Sequence, residues 1–449
     1  MAPGLLTDLY ELNMAASYLR RGMTQPATFS LFVRELPPQR GFLVSAGLED
    51  CLSFLEGFRF EDDELTYCRD ELGFDAETVS AFRGLRFTGD VEAVPEGRTV
   101  FAGEPLLEVT APLPEAQLVE TYLLNQITFQ TTLASKAARC VIAADGRDVV
   151  DFAFRRTQGI EAAMAVARCS AMVGFAATSN VEAARQFGLP AAGTMAHSFI
   201  EAFPTEAEAF RAFAEDFPDR TTFLVDTYDT VDGVRTAIEI IREMGLSGRL
   251  GIRLDSGELA ALARESRALL DQAGLREVRI FASGGLDEFS IDALVRPGVP
   301  IDAFGVGTRM GVSADAPYLD SAYKLVEYDG RPVMKLSPGK ATAPGPKQVF
   351  RSGDPADDVI GRREESVPPG SVPMLEPAMR GGRRTGDPEA VAGARARFEA
   401  DLDALPSAAK AIADPRAPVA APSKALTKLT DEARASLGEG RLDADRTPR

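Results

Sequence analysis

RLGIRLDSGELAALARESRALLDQAGLREVRIFASGG, residues 249–285, reads as a strand-like run, a helix and a second strand-like run. RLGIRLD and VRIFASG are short and apolar, and each stops at polar residues or glycine. The same unit recurs on both sides. Asp226, Arg253, Phe281 and Phe304 are spaced by 27, 28 and 23 residues, about one strand, one helix and their loops. Seven such runs follow one another: DVVDFAF, SAMVGFAAT, AAGTMA, TTFLVDT, RLGIRLD, VRIFASG and IDAFGVG. Helices between strands make the strands parallel. The expected fold is therefore α/β, an irregular (β/α) barrel of about seven parallel strands whose C-terminal ends share one mouth.

With 449 residues, 45% of them hydrophobic, the chain can bury a large core and hold more than one structural unit. The reading divides it into an N-terminal α/β domain (1–114), the barrel with its site (115–320) and a C-terminal segment (321–449). The last of these partly completes the first, giving a smaller domain built from both ends. Within 1–114, Leu9, Leu12, Ala16 and Leu19 predict a helix over 8–22, residues 27–33 a strand and 48–56 a helix. FTGDVEAVPEGRTVFAGEPLLEVTAP reads as a small, mostly β unit closing near Pro114. A long helical region follows from 115. Beyond 320 comes a hairpin-like segment carrying Lys324, Lys335 and Lys340, then KQVFR with Lys347. The final 60 or so residues read as a loosely packed extension with one amphipathic helix near 424–437.

A net charge of −18 repels nucleic acid and anionic membranes, so an anionic substrate needs a local cluster of cations or backbone NH groups. Cys51, Cys68, Cys140 and Cys169 are widely spaced and His197 is the single histidine, which excludes the usual zinc spacings and suggests reduced, packed thiols. The N-terminus lacks a basic start followed by an apolar run, and no stretch of about 18 apolar residues occurs, so the expected location is the cytoplasm.

Each run ends in chemically capable residues: Arg155 and Arg156; Thr178, Ser179 and Asn180; His197; Asp226 and Asp229; Arg253 and Asp255; Ser283, Gly284 and Gly285; Gly305, Gly307 and Thr308. The two glycine-bearing ends can hold phosphate through NH groups and a helix dipole, or be plain βα turns. Arg253 and Asp255 share a strand face; they suit a carboxylate and a ribose or metal-bound diphosphate, or form a structural salt bridge. DTYDT can bind metal, or Asp229 can cap a helix. Phe152 offers an aromatic face beside the Arg155 and Arg156 guanidiniums. The mouth fits a small anionic aromatic and a phosphorylated sugar.

Through LLTDLYELNMA, RGFLVSAGLE, LLNQITFQT, FRRTQG, TSN, GTMAHSF, LVDTYDT, RLDSGE, FASGGLDE, DAFGVGTR and YKLVEYDGRPVMKLS, the sequence resembles nicotinate phosphoribosyltransferase of the type II phosphoribosyltransferase fold over roughly residues 4–350. The resemblance implies joining nicotinate to phosphoribosyl diphosphate, with ATP hydrolysis coupled through a phosphorylated histidine. That histidine would be His197. Phe152 would stack on the pyridine, with Tyr10 from the partner subunit of a homodimer on its other face. Arg253 and the Thr178–Ser179–Asn180 region would hold the carboxylate, with Arg155 a further anion contact. Asp255 would meet the ribose or its Mg²⁺-bound diphosphate, Asp226 being the other candidate for the metal. Ser283, Gly284, Gly285, Gly305, Gly307 and Thr308 would cradle the 5′-phosphate. Ala153 and Ala177 stand where glycines are expected. Neutral Thr178-Ser179-Asn180 replaces the acid of related nicotinamide-using enzymes and favours nicotinate. The alternatives within the fold are a nicotinamide or a quinolinate phosphoribosyltransferase; an isomerase or aldolase would want a catalytic lysine or Glu/His pair at the strand ends, and none is evident.

Overall fold

The computed structural model describes residues 3–337 and 342–444, so Lys340 lies outside the described residues. The chain forms two compact units: residues 1–132 with 318–411 and 415–449, and residues 133–317 with 412–414. No described helix is long and apolar enough to cross a membrane.

In the first unit, Pro26–Val33 is buried at every position after Pro26, which requires cover on both faces. It pairs antiparallel with Ser321–Tyr328 on one side and Pro105–Pro112 on the other. Asp90–Ala93 and then Glu376–Arg380 extend the same seven-stranded sheet. The 85–112 segment is thus part of a sheet built from both ends of the chain, not a separate β unit. Helix Leu48–Gly57 buries Cys51, Leu52, Phe54 and Leu55, and Phe58, Phe60 and Phe82 join the same core. Tyr10 stands on helix Leu9–Arg20, 48% exposed, next to a fully buried Glu11.

The C-terminal residues pack more firmly than their composition suggests. Lys347–Arg351 and Val359–Arg362 form the core of a four-stranded sheet. Arg351 Nε donates to Asp358 at 2.8 Å and its Nη1 to the Thr99 carbonyl at 2.6 Å. Asp401, on helix Val391–Ala404, accepts from Arg98 and from the Thr99 amide, each at 2.8 Å. The Asp401 contacts span 303 and 302 residues and the Arg351–Thr99 bond 252, so local composition could not reveal them.

The second unit holds six parallel strands: β1 (Asp148–Asp151), β2 (Ala177–Thr178), β3 (Thr222–Leu224), β4 (Gly251–Leu254), β5 (Arg279–Ala282) and β6 (Ala303–Val306). Their order is β2-β1-β6-β5-β4-β3, and every pairing is parallel. The mixed α/β fold carries a half-barrel here, not seven strands. The missing run, AAGTMA, makes one bridge, Ala191 to Thr178. Its mostly small residues follow Pro190 and bring a single β-branched side chain, Thr194, to pack on a pleated surface.

Buried charges also steady the loop after β5. Lys136 pairs with Glu288 and, at 2.7 Å, with Asp315, while Arg139 Nε reaches Glu288 at 3.0 Å. Glu288 opens helix Glu288–Val295, and Asp287 caps it by accepting from the Ser290 amide. Removing one partner of such a group leaves an uncompensated buried charge, at about 3–5 kcal/mol.

Candidate active site

Arg253, near the end of β4, organises the mouth. Its Nε donates to Ser283 Oγ at 2.9 Å, Nη1 to Thr194 Oγ1 at 3.0 Å and the Met195 carbonyl at 3.3 Å, and Nη2 to Asp255 Oδ1 at 2.8 Å. The expected Arg253–Asp255 pairing is present, and segment 191–196, though not a strand, supplies two of the guanidinium's partners. The same guanidinium lies 5.5 Å from the centre of the Phe152 ring. Phe152 leans on Phe281, with centroids 5.6 Å apart. A Cβ at Gly305 would come within 2.9 Å of both rings, so this glycine, inside β6, makes room for the aromatic face.

Burial alone would raise the Asp255 pKa. Hydrogen bonds from Ser283 and Arg253, with the positive charge of Arg253, outweigh it and hold the carboxyl below its usual range. His197 opens the short helix His197–Glu201, and its Nδ1 lies 3.1 Å from Thr227 Oγ1. Asp226 Oδ2 accepts from the Asp255 amide at 3.0 Å and Ser256 Oγ at 2.6 Å, whereas its buried Oδ1 has no hydrogen-bond partner among the described residues. Asp229 is a helix cap, accepting from the Asp232 amide at 2.9 Å. No group of three or more His, Cys, Asp or Glu side chains suited to a metal ion occurs among the described residues.

Thr178, Ser179 and Asn180 do different things. Thr178 Oγ1 donates to Asp151 at 2.7 Å and accepts from the Asn180 amide; Asn180 is fully buried and caps helix Val181–Phe187. Ser179 alone of the three reaches the cavity that Phe152 borders. Val150 and Phe152 line that cavity, so Asp151 between them points to the opposite face. Burial pushes its carboxyl pKa up, against hydrogen bonds from the Ala153 amide and Thr178. Arg155 is exposed and no described carboxylate pairs with it. Tyr10 belongs to the other unit.

Gly284 and Gly285 have φ of +92° and +69°, and a Cβ on Gly284 would sit 1.8 Å from the Asp255 carbonyl oxygen. Asp287 already occupies the helix N-terminus, so loop NH groups, not a free helix end, are what this turn offers an anion. Gly307 precedes a single helical turn, Thr308–Gly311. Gly284→Ala is expected to destabilise the protein by about 2–4 kcal/mol through backbone displacement and left-handed strain. Gly285→Ala, with nothing near its Cβ, should lose only about 1–2 kcal/mol. Denaturant titration of both checks this; equal losses would contradict the close approach.

Family models described as the nicotinate phosphoribosyltransferase (NAPRTase) N-terminal domain and the nicotinate phosphoribosyltransferase (NAPRTase) family match residues 5–128 and 148–400. The chain belongs to the nicotinate phosphoribosyltransferase family. It is 49% identical over 415 residues to nicotinate phosphoribosyltransferase pncB2 of Mycobacterium tuberculosis, covering 91% of this chain and 89% of that one. Identity to the Bacillus subtilis nicotinate phosphoribosyltransferase is 45% over 356 residues, 77% of this chain and 72% of that one. The crystal structure of human nicotinic acid phosphoribosyltransferase matches with a TM-score of 0.83 at 28% identity, over 95% of this chain and all of that one.

Sequence reasoning within this family missed several residues. Arg309 follows GVGT directly and ion-pairs with Asp287 at 3.1 Å, which places a cation beside both glycine-bearing loops. Its position in DAFGVGTR was the available signal. Thr194, Thr227 and Glu206 gave none. Burial, then the charges of Asp226, Asp229 and Asp232, push the Glu206 pKa up to about 7. Between about pH 4.5 and 7 the folded state keeps a proton that the unfolded state releases, so stability falls as pH rises through that window. Glu206→Gln should therefore melt higher than wild type at pH 8 and together with it near or below about pH 4. A difference in melting temperature that is the same at both pH values would contradict this.

Proposed function

We propose that this chain is a nicotinate phosphoribosyltransferase. It joins nicotinate to 5-phosphoribosyl 1-diphosphate, releasing nicotinate mononucleotide and diphosphate, coupled to ATP hydrolysis through phosphorylation of His197, in cytoplasmic salvage of NAD precursors. The observation that carries the reading is the Arg253 guanidinium set against the Phe152 ring at the end of a parallel half-barrel. A pyridine stacked on Phe152 brings its carboxylate to a planar cation.

The remaining roles follow from position. Ser179 borders the ring site, while Thr178 and Asn180 support it from behind through Asp151 and the helix cap. Ser283 Oγ and the loop amides of Gly284, Gly285, Gly307 and Thr308 receive the 5′-phosphate, with Arg309 and Arg155 as nearby cations. Asp255, kept ionised by Arg253 and Ser283, accepts from the ribose hydroxyls. Mg²⁺ would be carried mainly by the substrate diphosphate, with Asp226 and Asp255 as the protein carboxylates, and would neutralise the departing diphosphate. Asp226 Oδ1, buried without a hydrogen-bond partner among the described residues, fits that use. The protein's own contribution is to hold the pyridine nitrogen in line with the anomeric carbon and to exclude water. The active unit is a homodimer in which Tyr10 of the partner subunit covers the other face of the pyridine.

Incubation with phosphoribosyl diphosphate and, in turn, nicotinate, nicotinamide and quinolinate, with and without ATP, tests the proposal. Turnover of nicotinate, stimulated by ATP, is the expected result. Preferential turnover of nicotinamide or quinolinate would overturn it.

A further inference from the structure

The ring site is one end of a longer space. A cavity of about 780 Å³ runs along the concave side of the half-barrel. At one end lie Phe152 and Ser179, which follow the C-terminal ends of β1 and β2. At the other lie Arg220, Arg249 and Arg279, which precede or begin β3, β4 and β5. Strands of four residues set those ends about 13 Å apart. Gly251, level with Arg279, and Ala303, level with Phe281, add little bulk to the space, and Phe213, Phe217 and Phe281 make its wall largely apolar. At about 780 Å³ the space is far larger than one pyridine carboxylate needs.

The arginines are the second observation. All three are exposed in a chain whose net charge is −18. Arg279 is neutralised by Asp148 at 2.7 Å. Arg220 stacks over Phe217 at 5.3 Å instead of pairing with a carboxylate, and Arg249 has no ion-pair partner among the described residues. Two uncompensated cations therefore flank an aromatic-walled opening on an otherwise acidic protein. That combination suits a small planar anion, and a local positive rim raises the arrival rate of such a ligand. At the opposite mouth, Ser283, Gly284, His197 and Asp255 form the outer layer, where the phosphosugar is read to bind. A ring arriving after the sugar would find that way blocked.

We propose that this cavity is the entrance for nicotinate, which passes Arg220 and Arg249 and reaches the Phe152–Arg253 site from the N-terminal side of the sheet. The proposal rests on the reading of the mouth as the transferase site. Phosphoribosyl diphosphate and ATP use the C-terminal mouth, so the two anionic substrates approach from opposite sides and neither has to leave for the other to enter.

Two variants test it in steady-state turnover. Arg220→Glu/Arg249→Glu is expected to lower kcat/KM for nicotinate on the order of tenfold at low ionic strength, with the loss shrinking as salt is added. KM for phosphoribosyl diphosphate and kcat should be unchanged. Arg249→Cys allows the opening to be plugged with a bulky neutral disulfide-forming reagent, because the four native thiols are buried. The plugged enzyme should lose at least about tenfold in kcat/KM for nicotinate, keep its affinity for phosphoribosyl diphosphate, and recover on reduction. An unchanged nicotinate kcat/KM in the plugged enzyme overturns the route, as does an equal loss for both substrates in the charge-reversed one. Absence of nicotinate turnover in the wild type would instead sink the transferase reading itself.

Discussion

Arg253→Lys is expected to lower kcat/KM for nicotinate by about 2–3 kcal/mol, on the order of 30- to 150-fold. The change keeps the charge but removes the planar fork. A lysine ammonium can still reach Asp255, as a point charge, but cannot engage Ser283, Thr194 and the substrate carboxylate together in one plane. Because Asp255 stays paired, the protein should remain folded, with its melting temperature shifted by no more than a few degrees. Arg253→Ala goes further: it leaves Asp255 and Ser283 without their cation and removes the charge that attracts nicotinate. Discrimination between nicotinate and nicotinamide should then collapse, since the amide gains nothing from the guanidinium's charge. Competing the two ring substrates in one assay measures this ratio. If Arg253→Ala retains wild-type preference for nicotinate, the carboxylate is held elsewhere.

How far the site was legible can be judged from such residues. Arg253, Asp255 and Ser283 were readable because strand ends, i and i+2 faces and βα spacing are local properties, and parallel topology then brings the ends together. Thr178 and Asn180 illustrate the limit. Their polarity is visible in TSN, yet it serves a buried carboxylate 27 residues back on the neighbouring strand and a helix cap of their own. Which polar residue faces the cavity depends on the register of β1 against β2, which composition does not encode. Glu206 was invisible for another reason. Its altered acidity comes first from burial and then from Asp226, Asp229 and Asp232, supplied by a loop and helix beyond the next strand. The misreading of AAGTMA had a physical source as well: a run of mostly small residues, with Thr194 its single β-branched one, satisfies an apolar pattern without the side-chain bulk that holds a strand in a sheet. Asp401 makes the same point in the other unit, where its contacts with Arg98 and the Thr99 amide, distant in sequence, hold a helix that reads as part of a loosely packed extension.

His197→Ala should abolish turnover-linked ATP hydrolysis while leaving slow, ATP-independent formation of nicotinate mononucleotide. The geometry explains why the two can separate. His197 Nδ1 is 3.1 Å from Thr227 Oγ1, so with Nδ1–H donating to the hydroxyl, Nε2 carries the free lone pair. In the proposed phosphorylation, attack by Nε2 on the γ-phosphorus of ATP would form the N–P bond as the bond to the departing ADP oxygen breaks. The ribosyl transfer needs no such nucleophile: its atoms are held by Arg253, Phe152, Asp255 and the glycine loops. A phosphoryl group on His197 adds about −1.5 to −2 charges at the mouth, next to the ionised Asp255. That charge bears on how tightly the magnesium diphosphate substrate is held, not on the chemistry at the pyridine nitrogen. Thr227→Val offers a milder version of the same test. Without the hydroxyl, Nδ1–H loses its acceptor and the ring its fixed orientation, so phosphorylation from γ-labelled ATP should slow on the order of tenfold while ATP-independent transfer is untouched. Retention of full ATP coupling in His197→Ala would remove the residue from the mechanism. Loss of ATP-independent transfer along with coupling would make it part of the ribosyl-transfer machinery instead.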